Sequence, residues 1–208
     1  MPLILDDSNP TPSGTDPTAQ GPFRDEQDRR RRVHHDADVV IIGAGVFGSA
    51  AAVAMARQGR SVILLEKSLK EPDRIVGELL QPGGVQALRE LGLEHCMSGI
   101  DAIPCFGYDV VYYGTGVGIP YPKEVVKEGK GDGKRPQGKG FHHGRFIQKL
   151  REAAMKEPNV TVVETEAKDL VRNGWTGQVL GVECSTKGEK DYVSYNLKMG
   201  LEGKISLI

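Results

Sequence analysis

The chain has 208 residues, about a quarter of them charged, and a formal net charge of −1. That length suits one or two domains, and the near-neutral balance excludes a global electrostatic attraction to nucleic acid or an anionic surface. Cys96, Cys105 and Cys184 form no CxxC pair and leave an odd thiol, which argues for a reducing compartment and against a disulfide framework or metal cluster.

Residues 1–36 read as an unstructured arm, because SNPTPSGTDPTAQGP cannot bury enough apolar area to offset its ordering entropy. The basic run at residues 29–32 reads as part of that solvated arm. MPLILDD has neither a basic start nor a cleavage pattern, and no apolar run approaches the roughly 20 residues needed to span a bilayer. The chain as written is therefore expected to be soluble.

Residues 38–66, DVVIIGAGVFGSAAAVAMARQGRSVILLE, carry the strongest signal. A predicted strand at 38–42 runs into Gly43-x-Gly45-x-x-Gly48, an Ala-rich helix continues to about Gln58, and a second strand at 61–65 ends at Glu66. This is the unit that holds the ADP half of a dinucleotide. Gly43 permits a tight turn, Gly45 lets a pyrophosphate approach the backbone, and Gly48 lets helix and sheet pack closely. The helix start offers its unpaired N–H groups and the positive end of its dipole to the diphosphate. Glu66 is placed to accept ribose hydroxyls and to repel a 2′-phosphate, which disfavours NADP and leaves NAD or FAD open.

Further along, Pro82 and the two glycines after it predict a turn, and Val85, Leu88 and Leu91 follow helical spacing. Residues 107–121 alternate like strands outside the parallel core. The Lys- and Gly-rich stretch 123–140 reads as a mobile loop. Its Gly133-x-x-x-x-Gly138-Lys139-Gly140 lacks the Ser or Thr and the preceding strand of a P-loop. A helix is predicted over 144–156, with Phe146, Leu150 and Ala153 on one face, then strands near 160–164, 168–172 and 178–184. His34-His35 and His142-His143 are rejected as metal sites, since adjacent side chains diverge; the latter pair is expected to help start the helix or pack beside a cofactor. Asn159-Val160-Thr161 is read as a chance sequon. Arg74, Arg145 and Arg151 are candidate partners for a diphosphate.

GAGVFGSAAA, EKSLKEPDRIVGELLQPGG and GFHHGRFIQKLREAAMKEPNV together strongly resemble squalene monooxygenase (squalene epoxidase) in a fungal-like form, over residues 37 to 192. The resemblance implies an α/β fold: a Rossmann-like FAD-binding domain of the flavin hydroxylase fold, incomplete, with residues 107–140 belonging to or bordering an interleaved substrate domain. It implies FAD as cofactor, squalene and O2 as substrates, and an NADPH-cytochrome reductase as electron donor. By resemblance the location is the endoplasmic reticulum membrane and the product is 2,3-oxidosqualene, on the route to sterols. Matching positions assign the diphosphate to Gly45, Val46 and Phe47, and the ribose to Glu66 with Lys67. Arg74, Leu79 and Arg151 would lie along the FAD, Ala167 would back the adenine, and Tyr108 would stand near the flavin and substrate as the activity-linked residue. Arg145 is added from its place at a helix start. Residues 193–208 show no VADG-type strand and read as a divergent tail. The chain is thus expected to be a truncated form, with a non-catalytic nucleotide- or partner-binding fragment as the alternative.

Overall fold

Two short sequence features start the fold. Asp38 and Ser61 clamp the mouths of the first two strands: the Asp38 amide donates to Ser61 Oγ at 2.8 Å, and the Ser61 amide donates to Asp38 Oδ2 at 2.8 Å. The computed structural model describes residues 37–73, 78–123 and 133–194. Its elements run β1 (Val39–Ile42), α1 (Val46–Arg57), β2 (Val62–Glu66), β3 (Leu79–Leu80), α2 (Pro82–Glu90), a 3-10 turn (Glu94–Met97) and β4 (Ile103–Cys105). They continue β5 (Gly107–Tyr112), β6 (Thr115–Pro120), β7 (Gly138–Gly140), α3 (His143–Lys156), β8 (Val160–Glu164), β9 (Glu166–Arg172), β10 (Val179–Thr186) and β11 (Glu189–Ser194).

The centre is a parallel sheet in the order β1-β2-β8, with Val39 opposite Val62 and Val62 opposite Val160. It is covered on both faces, which explains why its strands are continuous apolar runs. Successive side chains alternate between the covers. Val62 and Leu64 join a core with Val53, Phe146 and Leu150 from α1 and α3. Ile63 and Leu65 join a second core with Val182, Cys184 and Val193 from the antiparallel sheet β11-β10-β9. The result is helices, parallel sheet and antiparallel sheet in three layers.

α1 lies against the sheet because its buried positions, Gly48, Ser49, Ala52, Val53 and Ala56, are small and fall on one face. Gly48 sets the distance: a Cβ there would stand 1.9 Å from the Gly43 carbonyl oxygen. Gly43 itself has φ +95°, a left-handed turn that only glycine adopts without strain. α3 buries Phe146, Ile147, Leu150 and Ala154, and its Glu157 cap ties back to α1 through Arg57 at 2.7 Å. The predicted helical stripe of Phe146, Leu150 and Ala153 is the observed one.

Two expectations change. Pro82, Gly83 and Gly84 form the first turn of α2, with Pro at N1, instead of a turn before it, and Leu91 caps the helix at an exposed position. The stretch read as a mobile loop ends in β7, which bridges β3 and β4. A Gly-Lys-Gly triplet has no hydrophobic alternation, so pairing on both edges makes this strand. Residue 192, where the resemblance was set to end, lies inside β11. Lys187 and Gly188 both adopt positive φ, and this two-residue turn pairs Glu189 with Thr186 and returns the chain along β10. Val193 is buried while Tyr192 is exposed, the alternation of a half-covered strand. The arm at 1–36 and the tail beyond 194 lie outside the described residues.

The 1.9 Å approach at Gly48 yields a direct test. Gly48→Ala is expected to lower stability by about 2 kcal/mol, since helix and turn must separate to admit a methyl group. A urea midpoint equal to that of the parent chain would contradict this packing.

Candidate functional site

The carboxyl ends of β1 and β2 meet the N-terminus of α1, and a buried guanidinium holds the three together. Arg151 reaches from α3, only 4% exposed, and its Nε donates to the Ala44 carbonyl at 2.9 Å. Its Nη1 donates to the Lys70 carbonyl at 3.1 Å, and its Nη2 lies 3.3 Å from Glu66 Oε2. The same Oε2 accepts the Ala44 amide at 2.7 Å, while Oε1 accepts the Ser68 amide at 3.1 Å. Ala44 is thus gripped at both its N–H and its C=O. These are charge-assisted bonds in a low-dielectric place, which makes them strong and geometrically exacting.

The turn so fixed is built to receive an anion. Gly45 is the N-cap of α1, no side chain caps the helix, and its first turn contains no acid. A Cβ at Gly45 would meet nothing within 4 Å. Val46 and Phe47 follow with exposed side chains, Phe47 at 59%. Open backbone N–H groups at the positive end of a helix dipole suit a phosphate. Beside them Glu66 keeps acceptor capacity on Oε1, which takes a single backbone N–H. The donor and acceptor set therefore fits a ribose joined to a diphosphate.

The loop after β2 is pinned from two sides. The Leu69 amide donates to Glu164 Oε1 at 2.9 Å, and Gln148 Nε2 donates to the Leu69 carbonyl at 2.9 Å. Gly144, at the start of α3, is required here: a Cβ would lie 2.5 Å from the Pro72 carbonyl. Lys67 pairs with Glu166 at 3.1 Å, and Lys168 with the other oxygen at 2.7 Å. Lys168 first, then Lys67, hold the Glu166 carboxyl below its usual range.

A second group of predicted residues lies around β3, β5 and β7. Leu79 pairs with Gly140 and is partly exposed. Gln81 Nε2 donates to the Tyr108 hydroxyl, and the Tyr108 ring meets Tyr121 edge-on, 5.4 Å between centroids. The hydrogen bond to Tyr108 is the main cause that holds the Tyr121 phenol above its usual range. β5 and β6 form a hairpin whose one face carries Tyr108, Val110, Val117 and Ile119, all exposed among the described residues.

The structure thus brings Gly43, Gly45, Val46, Phe47, Gly48, Glu66 and Arg151 to one place, with Lys67 at its edge. Ala167 packs against the second core, as Val40 and Ile42 also do. Arg145 pairs with Asp101 and does not join the cluster; its placement at a helix start was correct, but that helix start is the one capped by His142. His142 Nδ1 accepts the Arg145 amide at 3.4 Å, so this histidine does help start the helix. Arg74 and His34-His35 lie outside the described residues. Asn159 donates its amide to the Ala56 carbonyl at 3.4 Å. Sequence reasoning missed the mutual grip of Arg151, Ala44 and Glu66, and missed Glu164 and Glu78, the latter accepting the His143 amide at 3.2 Å. Pairs separated by 22 to 107 positions leave no local signal.

Residues 38–72 match the family model described as FAD dependent oxidoreductase. The squalene epoxidase of Aspergillus fumigatus is 62% identical over 168 residues, 81% of this chain and 34% of that protein. That of Gibberella zeae is 52% identical over 194 residues, and the squalene monooxygenase of Mus musculus is 45% identical over 158 residues, 26% of its length. The chain spans about a third of the length of the curated fungal relatives it matches. Among solved structures, p-nitrophenol 4-monooxygenase PnpA from Pseudomonas putida is similar in fold, with TM-score 0.62 at 18% identity over 77% of this chain and 39% of its own. The flavin-dependent brominase Bmp2 gives TM-score 0.60 at 24% identity, over 77% of this chain and 36% of its own.

Arg151→Met is expected to cost about 3 kcal/mol, because it strands the Glu66 carboxylate at only 16% side-chain exposure. Adding Glu66→Gln should restore part of that loss by removing the unpaired charge. Strictly additive losses in a denaturant double-mutant cycle would contradict the coupling.

Proposed function

As the chain belongs to the squalene epoxidase family, we propose that it holds the ADP half of FAD for a monooxygenase that converts squalene to 2,3-oxidosqualene. The observation that carries this reading is the turn at Ala44, gripped on both sides by Glu66 and Arg151, with the uncapped α1 N-terminus beside it. The N–H groups of Val46 and Phe47 take the diphosphate, and Gly45 leaves room for it. Glu66 Oε1 accepts a ribose hydroxyl, with Lys67 close by. Arg151 has three donor groups committed to Ala44, Lys70 and Glu66, so its part is to position the turn. Arg74, Leu79 and Ala167 are assigned along the cofactor by family position.

Bound FAD supplies the redox chemistry: with O2 and two electrons from NADPH through a reductase, one oxygen atom enters the terminal double bond of squalene and the other leaves as water. The residues of this chain bind, orient and exclude water. Tyr108 is held by Gln81 and Tyr121, which supports its assignment, by family position, beside the flavin and substrate. Its hairpin offers the apolar face of Tyr108, Val110, Val117 and Ile119 to a hydrocarbon. By family the site of action is the endoplasmic reticulum membrane. No helix of the described residues is long and apolar enough to cross a membrane.

One observation favours a second reading, nucleotide binding without turnover by this 208-residue chain. The hairpin face stands open to solvent, whereas oxygen transfer requires a dry site.

Purified chain titrated with FAD should quench the flavin fluorescence, ADP should displace FAD, and FMN should not. No binding, or displacement by FMN as readily as by ADP, would contradict the assigned grip. Gly45→Ala separates fold from ligand: its methyl group meets nothing in the protein. Stability should change by less than about 1 kcal/mol, while FAD affinity falls at least about tenfold, a loss of 1.4 kcal/mol. Incubation with FAD, NADPH, reductase and squalene decides between the readings: 2,3-oxidosqualene supports the enzyme, and bound flavin without product supports the second.

A further inference from the structure

Trp175 is the chain's single tryptophan and stands at the tip of the β9–β10 connection with 99% of its surface exposed. The turn that carries it is built without it. Asn173 Oδ1 accepts the amides of Trp175 and Thr176 at 2.9 and 3.1 Å. The Asn173 amide donates to the Gln178 carbonyl at 2.7 Å, and the Gly177 amide donates to the Asn173 carbonyl at 2.9 Å. Arg172 Nη1 adds a bond to the Gly177 carbonyl at 3.3 Å. The indole ring makes no hydrogen bond or ring contact with any described residue, so it contributes nothing to the fold that displays it. A ring of this size, held out by a rigid turn, points to a contact outside the molecule.

We propose that this tip is a lipid-surface anchor, with the Trp175 ring lying among the headgroups of a bilayer. The chemistry selects that occupant. Among the described residues the three most exposed large hydrophobic side chains are Trp175, Tyr113 and Tyr112. All are rings with a polar handle; Tyr112 ends β5 and Tyr113 is the first residue of the turn to β6. Such rings prefer the boundary between water and hydrocarbon, since one end is apolar and the other takes a hydrogen bond. Within residues 172–178 the only charge is Arg172, whose remaining donors match lipid phosphate. The inference needs neither FAD nor squalene, and it deepens the membrane location proposed above by naming a point of contact with the lipid surface.

Because Trp175 is unique, its emission reads this tip alone. The 208-residue chain is mixed with phosphatidylcholine–phosphatidylserine vesicles. Emission should move to shorter wavelength, and lipids brominated high on their acyl chains should quench it. Trp175→Ser should keep its far-ultraviolet circular dichroism and lose about tenfold in vesicle co-sedimentation. Emission unchanged by vesicles would overturn the proposal, whether or not the chain sediments with them. So would a shift that appears without lipid as protein concentration rises, because the ring would then be buried against a second copy.

Discussion

The site depends on one buried ion pair. Arg151 and Glu66 lie on elements 85 positions apart, and both bond to Ala44, one through its carbonyl and one through its amide. A guanidinium at 4% exposure is tolerated only where its donors are satisfied. Here the acceptors are two backbone carbonyls and a carboxylate, and each belongs to a different part of the site. The phosphate turn, the end of β2 and the loop at Lys70 are therefore fixed relative to α3 by a single side chain. A binding turn held in this way loses little further freedom when a ligand arrives.

The three-layer arrangement makes that pair possible. The parallel strands bury both faces, so β1 and β2 end together at one edge, and Gly48 brings α1 down onto them. α3 packs along the same face through Phe146 and Leu150, which delivers Arg151 to the turn from behind. The antiparallel sheet on the opposite face leaves the phosphate turn uncovered and carries Glu166 to the rim beside Lys67. Ligand chemistry at this edge follows from the general rule that open α/β sheets bind beyond the carboxyl ends of their strands.

The unit from β1 to Glu66 was legible because its information is local: a strand, three glycines, a small-residue helix and an acid at fixed spacing. The family strings pointed to FAD, and α3 showed its buried stripe openly. What stayed hidden was non-local or short. β7 is Gly-Lys-Gly and exists through pairing on both sides. β11 is dense in charge and is set by the Lys187-Gly188 turn. Glu66 was read as a ribose ligand, yet the structure first commits it to Ala44, Ser68 and Arg151. Arg145 was read as a cofactor contact from its helix position, while its guanidinium turns to Asp101.

The central claim is that the Ala44 turn, held by Glu66 and Arg151, is a dinucleotide grip. It is tested most directly by amide chemical shifts of the 208-residue chain as ADP is added. The account predicts that the largest changes fall on residues 44–48 and 66–68. Shifts concentrated elsewhere, with residues 44–48 unmoved at saturating ADP, would contradict it.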